Sequence, residues 1–192
     1  MPKIVDNEFM PPKFHICILN WNGAEMLDEC LQSVFMNKGF NYRVTVIDNN
    51  SSNFSSKKID HRVNIVQLDK NYGFSKGYNL GINKSNIKDD EYIILLNFDA
   101  TLDENFISSL TNTINKHGPN YIYGVKILFD KNKKLIWYAG GIAKLSNATI
   151  THVGIRERDE NFNIEMETDY VTGCCMIIHI KIFCKLKGFD ES

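Results

Sequence analysis

Residues 92–99 read Tyr-Ile-Ile-Leu-Leu-Asn-Phe-Asp. Five large apolar side chains in succession, without alternation, mark a strand buried on both faces, and such strands belong to parallel sheets covered by helices on each side. The run stops at a polar tip, Asn97-Phe98-Asp99, and a capped helix over residues 103–117 follows. Upstream the same unit recurs. Residues 64–68 form a short strand leading through Asp69 to Asn71-Tyr72-Gly73 and a helix over 74–85. Residues 43–47 form a strand closed by five polar turn formers, Asp48-Asn49-Asn50-Ser51-Ser52. Farther upstream, the apolar strand 14–19 ends at Asn20-Trp21-Asn22-Gly23. Residues 24–36 then place apolar side chains at Met26/Leu27, Cys30/Leu31 and Val34/Phe35, the stripe of an amphipathic helix with Asn22 as its cap. Up to residue 117 the order reads βαβαβαβα, which predicts an α/β, Rossmann-like, mostly parallel sheet with helices on both faces.

The pattern changes after Gly118-Pro119. Residues 121–129, a turn at 130–134 and residues 135–138 predict a hairpin that Gly140-Gly141 ends. Residues 146–169 read as an irregular polar stretch, too long for a simple connection. A strand over 174–179 and a short helix over 181–186 then close a C-terminal hairpin and mixed-sheet region. Residues 1–13 read as a polar leader and 14–192 as a single domain.

A chain of 192 residues suits one such domain. With 43% hydrophobic and 23% charged residues, neither a disordered chain nor a fibrous rod fits. Lys and Arg number 22 against 23 Asp and Glu, so no overall basic field exists to gather nucleic acid or an anionic membrane, and any anionic ligand must be held locally. The five cysteines are odd in number, form no C-x-x-C pair and mostly sit in apolar runs, as small hydrophobes in a reducing compartment do. No signal-peptide core opens the chain and no stretch approaches the roughly 18 apolar residues of a membrane span. The predicted location is cytoplasmic, or peripheral at the inner face of a membrane.

In open α/β sheets ligands bind beyond the carboxyl ends of the strands, so the three polar tips are predicted to line one crevice. The chain has no G-x-x-x-x-G-K-[ST] loop and no G-x-G-x-x-G after its first strand, which argues against P-loop NTPases, kinases and nicotinamide dehydrogenases. Gly73, Gly77 and Gly81 share one helix face and point to close packing against a sheet or a ligand. Asp99 can hold Mg²⁺ or Mn²⁺, because such an ion needs only one or two protein carboxylates when phosphates supply its other oxygens. A receiver-type domain using Asp48 as phosphoacceptor would need an acidic cluster that Asn20-Trp21-Asn22 does not supply.

The remaining polar and aromatic residues read as structural. His15 and His179 fall in strand patterns as core histidines, and His117 falls at a helix end. His61 and His152 lack partners at metal-site spacing. Arg156-Glu157-Arg158-Asp159 reads as a solvated charge run, Trp137 and Tyr138 as hairpin packing, and Cys174-Cys175 as strand core.

Read in order, ILNWNG (18–23), VTVIDNNSS (44–52), NYGFSKGYNLGI (71–82), YIILLNFDATLDENFI (92–107), YVTGCCMIIHIKIF (170–183) and KGFDES (187–192) carry a resemblance. From about residue 14 to the last, the chain resembles a family 2 glycosyltransferase of the GT-A fold, closest to the bacterial rhamnosyltransferase-like branch. The resemblance implies that Asn20, Trp21, Asn22 and Asp48 hold the nucleotide base, with Asn50 and Ser51 nearby. The imide N–H of uracil or thymine would require an acceptor such as Asp48. It also implies that Asn71, Gly73, Phe74, Asn79 and Gly81 flank the nucleotide and donor sugar. Asn97-Phe98-Asp99 corresponds to the branch's variant D-x-D motif, usually Asn-Pro-Asp, with Asn97 beside the nucleotide and Asp99 as ligand of Mg²⁺ or Mn²⁺. Residues 170–173 correspond to the floor of the acceptor side, and 188–191 to the lead-in to the last catalytic motif.

The activity so implied is inverting, metal-assisted transfer of a sugar from a UDP- or dTDP-linked donor to a glycan, polysaccharide or lipid-linked acceptor of the cell envelope. The catalytic base of the family lies beyond Ser192, which makes this sequence read as C-terminally truncated, with Asp190 and Glu191 as the only substitutes inside it. The alternative is a non-catalytic nucleotide-sugar-binding fragment or interaction module.

Overall fold

The computed structural model describes residues 11–192. The first ten residues of the expected leader lie outside them, and the first strand already begins at Lys13. Strands β1 (Lys13–Asn20), β2 (Tyr42–Asp48), β3 (Val63–Gln67) and β4 (Glu91–Asn97) run parallel. The short strands β5 (Ile122–Gly124) and β10 (Cys175–His179) complete a six-stranded sheet of order β3-β2-β1-β4-β10-β5, in which β10 is antiparallel to both neighbours. The sheet is therefore mostly parallel, as the run at 92–96 predicts. Ile16, Ile18 and Ile93 to Leu96 are wholly buried because both faces are covered.

Helices α1 (Ala24–Met36) and α3 (Phe106–His117) cover one face, setting Leu27, Cys30, Val34, Ile107 and Leu110 in one core with Ile16, Ile18, Ile94 and Leu96. Helices α2 (Gly73–Lys84) and α4 (Ile180–Lys185) cover the other, where Tyr78, Ile82 and Phe183 join Cys17, Ile47, Ile93 and Leu95. Burying these side chains drives the sandwich together at about 25 cal/mol per Å² of apolar surface removed from water. The glycine stripe of α2 serves this packing. A Cβ on Gly81 would come within 2.3 Å of Ile47 Cδ1, so only glycine lets the helix lie so near the sheet.

Several local expectations change. Between β2 and β3 there is only one 3₁₀ turn, Ser56–Lys58, so the full βαβαβαβα alternation lacks a helix; the polar residues of this connection offer no apolar stripe to bury. Asn22 does not cap α1 and Asp103 does not cap α3: the N-cap residues are Gly23 and Asn105, neither with a side-chain cap bond, the first turn of α3 donates instead from Ile107 N to Asn37 Oδ1 at 2.9 Å, and Asp103 closes a turn by accepting from Asn105 N. Residues 121–129 are not one strand. The chain breaks at Val125-Lys126, where β5 leaves to pair with β10, and β6 (Ile127–Phe129) pairs with β7 (Asn132–Tyr138). Gly141 does not end the hairpin but starts β8 (Gly141–Lys144), which pairs with β9 (Thr149–His152) inside the stretch expected to be irregular.

Candidate functional site

The parallel strands all end at one edge of the sheet, and their register puts Asn20 beside Asp48 and Leu19 beside Asn97. The neighbouring tips are tied together by side chains. Asn20 Nδ2 donates to Asp48 Oδ1 at 3.2 Å and to Ser51 Oγ at 3.1 Å, while Asp48 Oδ2 accepts from Ser51 N at 3.3 Å. Asn22 Oδ1 accepts from Ser52 N at 2.9 Å, and Asn22 N donates to Ser51 Oγ at 2.8 Å. Asn22 and Asn50 both have positive φ, 54° and 61°, a conformation asparagine tolerates better than most residues, which turns each tip sharply out of its strand.

Asp48 and Asn20 are buried, and Asn20 Oδ1 has no hydrogen-bond partner. A buried carbonyl oxygen left unpaired costs about 1–3 kcal/mol unless a donor reaches it. Beside this polar floor, Trp21 is 52% exposed. Asn50 is exposed.

Asn49, not among the residues singled out from the sequence, holds the second tip to the loop after β3, Asn71-Tyr72-Gly73. Its Nδ2 donates to Asn71 Oδ1 at 2.8 Å and Gly73 O at 3.1 Å, and its Oδ1 accepts from Tyr72 N at 2.9 Å. Nothing in a run of five polar turn formers distinguishes the one that points inward. Phe74 follows on α2, its ring edge-on to Tyr78 at 4.9 Å and its Cζ 2.7 Å from where a Cβ on Gly173 would stand. Asn79 faces the end of the chain: it donates to Phe189 O and Glu191 Oε1 and accepts from Phe189 N, each at 2.9 Å. The structure thus sets Asn79 against residues 188–191 while Asn20, Trp21, Asn22, Asp48, Asn71 and Gly73 gather at the joined tips.

The Asn97-Phe98-Asp99 tip is coupled to the first by packing. A Cβ on Gly23 would lie 2.1 Å from Phe98 Cε2, so the ring stacks on a residue that must lack a side chain. Asn97 is half-buried, with its backbone N–H on Cys174 O at 2.9 Å, and Asp99 is exposed. Asp99 makes no ion pair or side-chain hydrogen bond among the described residues, which also hold no cluster of three His, Cys, Asp or Glu side chains able to bind a metal. One free carboxylate fits a hard cation that takes its remaining oxygens from a diphosphate and water, and does not fit an all-protein cage. The nearby thiols are held in their neutral form. Burial, helped by the Asp99 charge, pushes Cys30 up to about 12 and Cys174 up to about 11.

The acidic residues near the chain end are engaged. Glu191 is held below the usual carboxylate range by its hydrogen bond from Asn79 and by Lys76, whose Nζ is 3.1 Å away; Asp190 accepts from Ser192 N at 2.9 Å. A cavity of about 480 Å³ lies elsewhere, between β5 and residues 162–168, and none of the strand tips lines it. Of its charged groups, Lys126 and Glu165 are paired with Asp159 and Lys116, while Glu167 makes no ion pair among the described residues. His15 and His117 match their expected structural places, one buried against Thr45 and the other ending α3, while His179 caps α4 by accepting from Lys181 N at 3.3 Å.

Known proteins agree with this architecture. The crystal structure of S. aureus TarS 1–349 superposes with a TM-score of 0.60 at 14% identity, over 94% of this chain and 51% of that one. TarS 1–349 in complex with UDP gives 0.64 at 13% identity, over 93% and 50%. The mannosyltransferase PcManGT from Pyrobaculum calidifontis, in complex with GDP-Man and Mn²⁺, gives 0.59 at 13% identity, over 96% and 49%. The chain therefore spans about half the length of these structures. No curated protein matches its sequence. The fold is GT-A, and since the model of the family described as "Glycosyl transferase family 2" matches residues 15–186, nearly the whole of the sheet and its helices, the chain belongs to that family.

Proposed function

We propose that the joined tips bind a UDP- or dTDP-linked sugar and that the chain serves its inverting transfer to a glycan or lipid-linked acceptor, in cell-envelope polysaccharide synthesis on the cytoplasmic side of the membrane. The observation that carries this reading is the buried Asn20–Asp48–Ser51 network, with one acceptor oxygen unfilled, beside the exposed Asp99 at the same sheet edge. The solved neighbours with UDP and with GDP-Man and Mn²⁺ support it. Asp48 and Asn20 would receive the base edge, Trp21 would stack on its face, and Asn22 and Ser51 would hold the tip that frames it, with Asn50 at its rim. Asn71, Gly73 and Phe74 would flank the donor, Asn79 would position residues 188–191 beside it, and Asn97 and Asp99 would face the diphosphate. Mg²⁺ or Mn²⁺, held by Asp99 and the phosphates, would supply Lewis-acid stabilisation of the leaving group's charge. In the transfer, the acceptor oxygen bonds to the anomeric carbon, the bond from that carbon to the diphosphate breaks with its electron pair leaving on the nucleotide, and the hydroxyl proton passes to a base.

A second reading is a nucleotide-sugar-binding module without turnover; among the described residues, Asp190 and Glu191 are both engaged in hydrogen bonds or an ion pair. Calorimetry with UDP-, dTDP- and GDP-sugars plus Mn²⁺ tests the common claim. Binding is expected, and Asp99→Ala should weaken it at least about tenfold. A folded protein that binds none of these donors refutes both readings, whereas donor turnover separates the transferase from the module.

A further inference from the structure

The buried face of helix α1 is not wholly apolar. Cys30, Ser33 and Asn37 stand at i, i+3 and i+7, one side of the helix and its C-cap, and all three are buried. A buried hydroxyl or amide is costly unless it finds a partner, and the partners here lie in the segment 97–107 that carries Asp99. The Cys30 thiol donates to Asn97 O at 3.7 Å. Ser33 Oγ donates to Cys30 O at 2.7 Å and accepts from Leu102 N at 2.9 Å. Asn37 Nδ2 donates to Asp103 O at 3.0 Å, and its Oδ1 takes the Ile107 N–H, so the far end of the segment is anchored as well.

Asp99 thus stands between two fixed points. Upstream, the Phe98 ring occupies the space beside Gly23. Downstream, Leu102 N is tied to Ser33, and between them the loop supplies one turn bond of its own, Ala100 N to Asn97 O at 3.2 Å. Leu102 belongs to no helix or strand, so its bond to Ser33 completes no element of secondary structure; what it fixes is the backbone just beyond Asp99. We infer that Ser33 is a positioning residue, holding this loop so that the exposed Asp99 carboxylate is presented in one place to a divalent cation. A single carboxylate makes few bonds to such an ion, so the freedom it loses on binding weighs heavily in the affinity. The inference rests on the proposed role of Asp99 as cation ligand. Contacts on the base side do not pass through Ser33, because Asn22 is tied to Ser51 and Ser52 at the other end of α1. The metal-dependent and metal-free parts of nucleotide binding therefore separate in a measurement.

The test is calorimetric titration of UDP, dTDP and GDP into the chain, each with and without Mn²⁺. In the parent, Mn²⁺ should tighten the binding, and Asp99→Ala should remove that gain. Ser33→Ala should cut the gain at least about fivefold while leaving the metal-free affinity unchanged, and Ser33→Thr, which keeps the hydroxyl, should restore it. Melting temperatures show which variants are folded; if Ser33→Ala is not, Ser33→Cys, close in shape but a poor acceptor, carries the same expectation. Ser33→Ala that keeps the whole gain, or that loses metal-free affinity in equal measure, overturns the inference alone, and so does Ser33→Thr that fails to restore the gain, which would assign the loss to packing. Nucleotide binding that gains nothing from Mn²⁺ overturns both this inference and the role of Asp99, with the base site left standing. A folded parent that binds none of the three nucleotides overturns the nucleotide reading and this inference with it.

Discussion

Asn49 Nδ2 lies 2.8 Å from Asn71 Oδ1, and this contact joins the loop after β2 to the loop after β3. The amide is used at both ends, since Oδ1 takes the Tyr72 N–H and Nδ2 also reaches Gly73 O. Asn49 is buried, so removing its amide strands several polar groups away from water. Asn49→Ala is expected to lower the unfolding free energy by about 1–3 kcal/mol, read from urea denaturation. Asn49→Asp should cost more, because a carboxylate would face two acceptor oxygens. If Asn49→Ala unfolds at the parent's midpoint, the two loops are not held by this side chain.

Gly23 and Phe98 make a second join, by shape alone. The backbone of Gly23, with φ −106°, would accept alanine, so the penalty for Gly23→Ala comes from the Phe98 ring that occupies the place of the new methyl. Overpacking of this kind typically costs about 1–3 kcal/mol. The ring must shift, and Asp99 with it, so Mn²⁺-dependent nucleotide binding should weaken too. Phe98→Ala in the same chain should recover part of the lost stability, a coupling that a double-mutant cycle measures. Strictly additive effects would mean that the two residues do not press on each other.

How much of this was readable beforehand depends on the range of the deciding interaction. β1 and β4 were legible because burial on both faces writes itself as an unbroken apolar run, and the tips were legible because polar residues stop those runs abruptly. The gathering of the tips followed from parallel pairing, a rule of topology. The break at Val125-Lys126 was not legible, since the partner that draws β5 away, β10, lies some fifty residues further on and leaves no mark in residues 121–129. The hairpin of β8 and β9 was missed for the opposite reason: its Ile142 and Ile150 are exposed, so no buried face imposes an alternating pattern on the sequence. Asn49 was missed because direction, not residue type, distinguishes it from Asn50.

Asn79 is the clasp for the chain's last residues, holding Phe189 by both its N–H and its carbonyl. Asn79→Ala should therefore free residues 188–191 without unfolding the sheet. Hydrogen exchange of the Phe189 amide is expected to quicken by about tenfold while the amides of β4 keep their protection. Glu191 would lose the larger of the two contacts that hold its carboxyl below the usual range, so its titration should move upward, towards the ordinary glutamate value. Unchanged Phe189 exchange would show that the aromatic packing of Phe189 on Phe74 and Phe183 suffices.

At the opposite edge of the sheet, His15 is wholly buried, with Nε2 2.7 Å from Thr45 Oγ1 and Nδ1 3.7 Å from Glu91 Oε2. Burial, reinforced by the Arg43 guanidinium and opposed by Glu91, lowers it to about 4. Burial also works to raise Glu91, but the hydrogen bonds from Arg43 and Lys88 N outweigh it and hold that carboxyl below its usual range. The unfolded chain binds a proton at His15 near pH 6.5 and the folded chain does not until near pH 4. Between those values the unfolded state holds more protons, so stability falls as the pH falls. Glu91 adds its own loss only below about pH 4.5, which leaves pH 6.5 to 5 as the window for His15. The unfolding free energy should drop there by roughly 1–3 kcal/mol, and His15→Gln, which can still bond Thr45 but cannot be protonated, should flatten that slope. A slope that His15→Gln leaves intact would assign the loss to another group.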